Sequence, residues 1–207
     1  MANLNFSDNR TIGPALLGEA GIRPYSDEFA KNGSPNPATF RDTLRRTEIT
    51  TDVAAALTTQ IMLGAGIALA AGDVVTKVGF AVGATAAITP TNAWVALYDV
   101  NGNLLAQSAD STNTAIPAST KYEQSLSAVQ NITVSGLYIV ALMVKAGTVP
   151  SLLSNVSPLA AAVNGPCNAG TVQKQIAATS GSALTATAPA TWAAPTVSLN
   201  IPYAWVR

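Results

Sequence analysis

Trp94-Val95-Ala96-Leu97-Tyr98-Asp99-Val100-Asn101-Gly102-Asn103-Leu104-Leu105-Ala106-Gln107 is the stretch whose reading decides the fold. Two apolar runs flank Asn-Gly, and a chain that reverses there needs residues tolerant of positive φ, which Asn and Gly supply. The reading is a β-hairpin with a type I′ turn at Asn101-Gly102. Trp94 and Tyr98 fall on one face of the first strand at two-residue steps, which assigns both rings to a core.

Outward from this hairpin the same period of two recurs. Val74, Thr76, Val78, Phe80 and Val82 alternate with Val75, Lys77, Gly79 and Ala81, as in a strand with one face on a core. Ile61 to Leu69 is a short apolar run closed by the turn signal Ala71-Gly72-Asp73. Downstream, Tyr122 to Val134 reads as two strands broken near 128–131, with Leu126, Ile132 and Val134 in the core. Leu137 to Val144 is apolar on both faces and suits a central strand covered from both sides. Thr196 to Ile201 alternates Val197, Leu199 and Ile201, and Tyr203, Trp205 and Val206 follow. Short strands at about ten-residue spacing with Gly, Asn and Pro turns give an all-β fold, a β-sandwich or jelly roll.

The charge distribution divides the chain. Of its 22 charged residues, twelve lie in the first 50 positions, six basic and six acidic, together with Pro14, Pro24, Pro35 and Pro37. A segment so poor in large apolar residues does not offset its ordering entropy alone, so residues 1–50 read as an extended arm. Residues 51–207 read as the sandwich, with a long Ala/Ser/Thr/Gly/Pro loop at about 146–195 whose single charge is Lys174. Inside the arm, Asn36 as N-cap and Pro37 at the first helical position predict one short helix from Pro37 to about Arg46. That helix would place Phe40 and Leu44 on an apolar face and Arg41 and Arg45 on a ridge able to grip carboxylates. With Arg46 these are the candidate partner contacts. A second short helix is expected near Pro158 to Val163.

The same inventory excludes much chemistry. Histidine is absent and Cys167 is the lone cysteine, which removes His-based triads, His metal sites, CxxC pairs and internal disulfides. Cys167 lies in a turn-forming string, without a base to activate it. No Ser-x-x-Lys, Gly-x-Ser-x-Gly or phosphate-loop motif occurs. The acids Asp52, Asp73, Asp99, Asp110 and Glu123 each fall beside a turn or edge, and no spacing nominates a catalytic pair. Asp99-Val100-Asn101-Gly102-Asn103 resembles the opening of a calcium loop but lacks its closing Glu, and the hairpin explains the same residues. The expectation is a protein that is not an enzyme, with no cofactor and no metal. Equal numbers of basic and acidic residues, 11 each, give no basic stripe for nucleic acid. The uncharged run from Val53 to Gly72 is long enough for a membrane span, yet Thr58, Thr59 and Gln60 and its many Ala and Gly residues argue for a buried strand instead. Trp192 sits in the small-residue loop, where exposure to a glycan or burial at a subunit contact is expected.

Taken together, Trp94 to Asp99, Gly102 to Asp110, Ser135 to Val140 and Pro202-Tyr203-Ala204-Trp205-Val206 resemble β-sandwich virion proteins of tailed bacteriophages that infect actinobacteria. The resemblance covers about Thr50 to Arg207 and not the arm, and it supplies no catalytic residue. It implies a structural part of a virion, made in the host bacterial cytoplasm. The preferred form is a capsid decoration protein on the capsid surface that holds the major capsid protein through its arm and associates with itself, by analogy as a trimer. The alternative is a minor tail protein or a receptor- or glycan-binding module of the tail using Trp192.

Overall fold

The computed structural model describes residues 40–53, 57–156 and 177–207. It is an all-β sandwich of antiparallel strands. The strands are β1 (Arg41–Asp42), β2 (Thr51–Val53), β3 (Met62–Leu69), β4 (Val74–Ala81), β5 (Asn92–Tyr98), β6 (Leu104–Gln107) and β7 (Lys121–Asn131). They continue with β8 (Gly136–Lys145), β9 (Leu152–Val156), β10 (Ala177–Ser180), β11 (Thr196–Val197), β12 (Asn200–Pro202) and β13 (Ala204–Val206). Three sheets result: β1-β13-β4-β7, β11-β10-β3-β8-β5-β6, and β12-β9-β2. Among the described residues no helix is long and apolar enough to cross a membrane, and the Val53 to Gly72 run supplies the end of β2 and the whole of β3.

The main core lies between the four- and six-stranded sheets. Val78, Phe80, Tyr122, Ala204 and Val206 meet Leu63, Ile67, Val95, Leu97, Val140 and Leu142 there. Because strand side chains alternate, β5 and β8 send their other residues outward: Trp94, Ala96 and Tyr98, with Ile139, Ala141 and Met143. That outer face is a second apolar cluster, so β8 is buried on both sides as its continuous apolar run predicts.

Several local readings change. The Asn-Gly hairpin forms, but only Gly102 takes a positive φ, 81°, so the turn is a type I turn closed by a Gly bulge rather than type I′. In β4 the register with β7 shifts between Val75 and Lys77, and the Thr76 and Lys77 N–H groups both donate to the Arg207 carbonyl, a bulge on β4 that flips its alternation. Val75, not Val74, enters the core beside Val78 and Phe80, while Val74 is exposed. The expected break in residues 122–134 is this register shift, beside which β7 stays one strand. Val134, Val197 and Leu199, assigned to the core by alternation, are all exposed.

The helix expected from Pro37 to Arg46 is absent over its described part. Phe40 is irregular, Arg41 and Asp42 pair with Val206 and Trp205 of β13, and one 3-10 turn follows at Arg46–Glu48. The unfilled edge of β13 offered hydrogen bonds that local helix propensity does not outweigh. The sandwich therefore includes residues 40–50, which the charge pattern assigned to the arm. The helix expected near Pro158 to Val163, together with Cys167 and Lys174, lies outside the described residues.

Candidate functional site

Residues 40–53 form a strap that crosses two sheets. Arg41 Nη2 donates to Asp73 Oδ1 at 2.8 Å with both side chains nearly buried, and Asp73 Oδ2 accepts the Ala70 N–H at 2.9 Å. The pair thus ties β1 to the turn between β3 and β4. The Thr43 N–H donates to the Ala204 carbonyl, while its hydroxyl donates to the Pro202 carbonyl and accepts the Ala204 N–H. At its far end the strap joins the three-stranded sheet, where β2 pairs with β9.

Between these anchors the strap meets the C-terminal strand through side chains. Arg46 Nε donates to the Tyr203 hydroxyl at 3.2 Å, and its guanidinium stands 5.6 Å from the Phe40 ring centre. Burial raises the Tyr203 phenol above its ordinary value, with the Arg46 hydrogen bond pulling the other way. At neutral pH it is a neutral hydroxyl that accepts from Arg46 and lies 3.5 Å from Asp42. The Tyr203 ring packs 5.7 Å from Trp205, which lies across Gly79 and donates Nε1–H to Glu123 at 2.8 Å. Glu123 also pairs with Arg207 at 2.6 Å and Lys77 at 3.9 Å. Beside the two rings an open cleft of about 520 Å³ separates the four- and three-stranded sheets, with Asp52, Ser119 and Lys121 on its walls.

The candidate contacts of the strap are therefore not equivalent. Arg45 and Arg46 are exposed, Phe40 and Leu44 are half-buried, and Arg41 is 5% exposed. No helical ridge joins Arg41 to Arg45, and the Arg41 guanidinium is committed to Asp73 inside this chain. Tyr203, Trp205 and Glu123 complete the face, and the sequence reading, which named each of them, did not bring them together as one site. The signal available was a pair of aromatics two residues apart, beside the terminal Arg207.

The loop of residues 181–195 covers the outer face of the six-stranded sheet. Trp192 is 5% exposed and packs edge-on to Tyr98 at 5.6 Å, above Gly64. A Cβ at position 64 would stand 2.5 Å from the indole, so only glycine leaves room for it. The sheet then reaches up to the loop backbone. Trp94 Nε1 donates to the Thr185 carbonyl at 2.7 Å, the Tyr98 hydroxyl to Pro189 at 3.1 Å, and Gln60 and Gln107 to Leu184 and Ala186. Trp192 is thus buried within its own chain rather than exposed. Its ring fills the second core of its own chain and offers no free face for a sugar to stack on.

All five carboxylates of residues 51–207 accept hydrogen bonds. Asp52 takes the Ala84 N–H and Asp73 takes Ala70 and Arg41. Asp99 takes the N–H groups of Asn101 and Asn103 at 2.8 Å each, plus the Asn103 amide. Asp110 takes Ala93, Asn92 and Thr112, and Glu123 takes Trp205 and Arg207. Each acid closes a turn or ties strands together, and Asp99 has the geometry of a turn cap. Among the described residues no cluster of three potential metal ligands occurs. Compared with known proteins, the chain matches no family model, and no curated protein matches it.

Proposed function

We propose that this protein is a structural component of a tailed-phage particle, in its preferred form a capsid decoration protein that sits on the capsid surface and binds the major capsid protein. The observation that carries the reading is the anchored strap. Residues 40–53 are tied to both sheets, so the preceding 39 residues, with seven of the chain's 22 charges, join the sandwich at a fixed point beside Phe40. A segment of that composition gains order most readily against a partner of complementary charge. Next to this point stand Arg45 and Arg46, with Lys77, Lys121, Glu123 and Arg207 on the same sheet. The acids and the loop tryptophan serve the sandwich itself, which supports a building part over a catalyst or a sugar-binding module. Self-association belongs to the same reading.

The test is deletion of residues 1–39. The shortened chain is expected to keep its β-sheet circular dichroism and cooperative melting, because every described strand pairing is retained, and to lose co-sedimentation with phage heads. Undiminished binding to heads would refute the proposal. Labelled full-length protein is expected over the whole head in hundreds of copies; a few copies at one end of the tail would assign it to the tail instead.

A further inference from the structure

We propose that Lys145 and Asn92 join as an amide cross-link between β8 and β5, formed by the chain itself with Asp110 as the proton carrier. Asn92 opens β5, Lys145 closes β8, and the two are direct cross-strand partners. Directly opposed residues on antiparallel strands share a face, with Cβ atoms about 4.5–5.5 Å apart. Alternation puts both on the outer face of the sheet, in the rows of Trp94 and Met143, and both are half-buried. On the other side of Asn92, in the segment that follows β6, stands Asp110. Its Oδ2 accepts the Asn92 amide N–H at 2.6 Å and the Thr112 hydroxyl at 3.0 Å, while its Oδ1 accepts the Ala93 N–H at 2.8 Å. An ionised carboxylate only accepts, so the group that faces it is the Asn92 NH2, and the short contact is charge-assisted. Asn92 thus lies between an amine and a fixed carboxylate.

That order of groups is what acyl transfer to an amine needs. Lys145, after losing a proton to solvent, attacks Asn92 Cγ and the Nζ–Cγ bond forms. Asp110 takes the proton released at Nζ and passes it to Nδ2, whereupon the Cγ–Nδ2 bond breaks and ammonia leaves. The ammonia takes up a proton from solvent, so the sum needs no oxidant, metal or activated co-reactant. A fold that holds all three groups together replaces a bimolecular encounter, which is the largest help such slow chemistry receives. Burial raises the Tyr122 phenol, with the Asp110 charge acting in the same direction, so a dry ring stands close to the carboxylate. The other described lysines lack this setting: Lys77 faces Ser125 and pairs with Glu123, and Lys121 faces Ala81. The link closes a loop from residue 92 to residue 145. It constrains the unfolded chain as a disulfide does, in a chain whose lone cysteine permits no internal disulfide.

The inference stands apart from the particle reading, because it is measured on the isolated full chain. Intact-mass spectrometry of the purified protein is expected to give a mass below that of the sequence by one ammonia. Tryptic digestion should then yield residues 78–121 joined to residues 122–174, since trypsin does not cut after a Lys145 whose amine is acylated. The joined peptide decides, because loss of ammonia alone also follows from a succinimide at Asn101-Gly102. Lys145→Arg keeps the charge and most of the stem at a half-buried position, so the fold should survive. It should restore the sequence mass and separate peptides, and melt below the wild type. Asp110→Asn should slow formation of the link by roughly tenfold or more. Two results overturn the proposal: the full sequence mass with separate peptides after days of incubation, or a joined peptide that persists in Lys145→Arg. A link that forms at undiminished rate in Asp110→Asn would overturn the role given to the carboxylate.

Discussion

The strap of residues 40–53 and the loop of residues 181–195 cover different sheets and are held there by opposite chemistry. The strap carries six charged residues in fourteen positions and the loop carries none in fifteen. The strap is tied by the Arg41–Asp73 pair, the Thr43 hydroxyl and two short strand pairings. The loop is tied by a buried indole and by sheet side chains that donate to its carbonyls. Apolar burial scales with area, whereas an ion pair depends on both partners staying in place. Truncating an anchor in the loop should therefore cost more than truncating one in the strap, and only the strap should lie on the path to a partner.

The most severe break is Trp192→Ala. It opens a cavity over Gly64 and removes the cover of Tyr98, so stability should fall by about 3–5 kcal/mol, a drop in Tm on the order of 10 °C for a chain of this size. Calorimetry checks it. A change under about 1 kcal/mol would mean that the second cluster is not cohesive.

Arg41→Met tests the strap. It keeps the aliphatic stem but leaves Asp73 without its cation, at a cost of about 3 kcal/mol, the low end for a broken buried pair. The companion Arg41→Met/Asp73→Asn should recover part of that loss, because the uncompensated charge is gone. If the double variant is worse than the sum of the singles, the pair is not the anchor.

The β5–β6 hairpin, the strand at β8 and most of β3 and β4 were legible because each has a local signature: a turn dipeptide, or a period matched to a buried face. The second core was half legible. β8 is apolar on both sides and so demands a cover, and Leu184 and Trp192 are the large apolar side chains of the loop that supplies it. What escaped was non-local. Arg41 pairs with Val206 and Asp42 with Trp205, over 160 residues away in the chain, and nothing near Pro37 betrays that edge, so local capping signals pointed to a helix. The bulge between Val75 and Lys77 moved Val74 outward for the same reason, since a register shift depends on the partner strand. The site face followed suit: Arg46, Tyr203 and Glu123 meet only through the sheet. Val197 and Leu199 alternate like core residues and are exposed nonetheless, because an alternating period marks one face of a strand without saying whether another element covers it.

Tyr98→Phe sharpens the loop side of the comparison. It leaves the Pro189 carbonyl without its donor, a loss of about 1 kcal/mol at neutral pH. Burial raises the Tyr98 phenol well above its ordinary 10.0. The folded state therefore favours the protonated phenol, and the resulting stability is full below pH 10.0 and is lost as pH rises toward the folded-state value. Urea unfolding across that range should show the wild type losing stability faster than the Phe variant, so their difference shrinks and then reverses. Parallel curves would show that Tyr98 reaches solvent in the folded state.

The smallest effect has the opposite sign. Ala183 and Ala194, near the two ends of the loop, sit in the left-handed region with φ of 51° and 42°, where a Cβ crowds the backbone. That conformation costs about 1–2 kcal/mol for an L-residue, and glycine returns roughly 0.5–1 kcal/mol of it as extra freedom in the unfolded chain. Ala194→Gly should thus stabilise by roughly 0.5 kcal/mol. The same change at Ala190, whose φ is not positive, should destabilise. The loop tolerates this strain because Trp192 and the carbonyl contacts on either side fix its path. In the Trp192→Ala background the constraint is gone and the alanine can relax, so the gain from Ala194→Gly should shrink toward zero. A double-mutant cycle in urea measures that coupling directly. Full additivity would show that the indole does not hold the loop in its strained form, and would remove the distinction drawn between loop and strap.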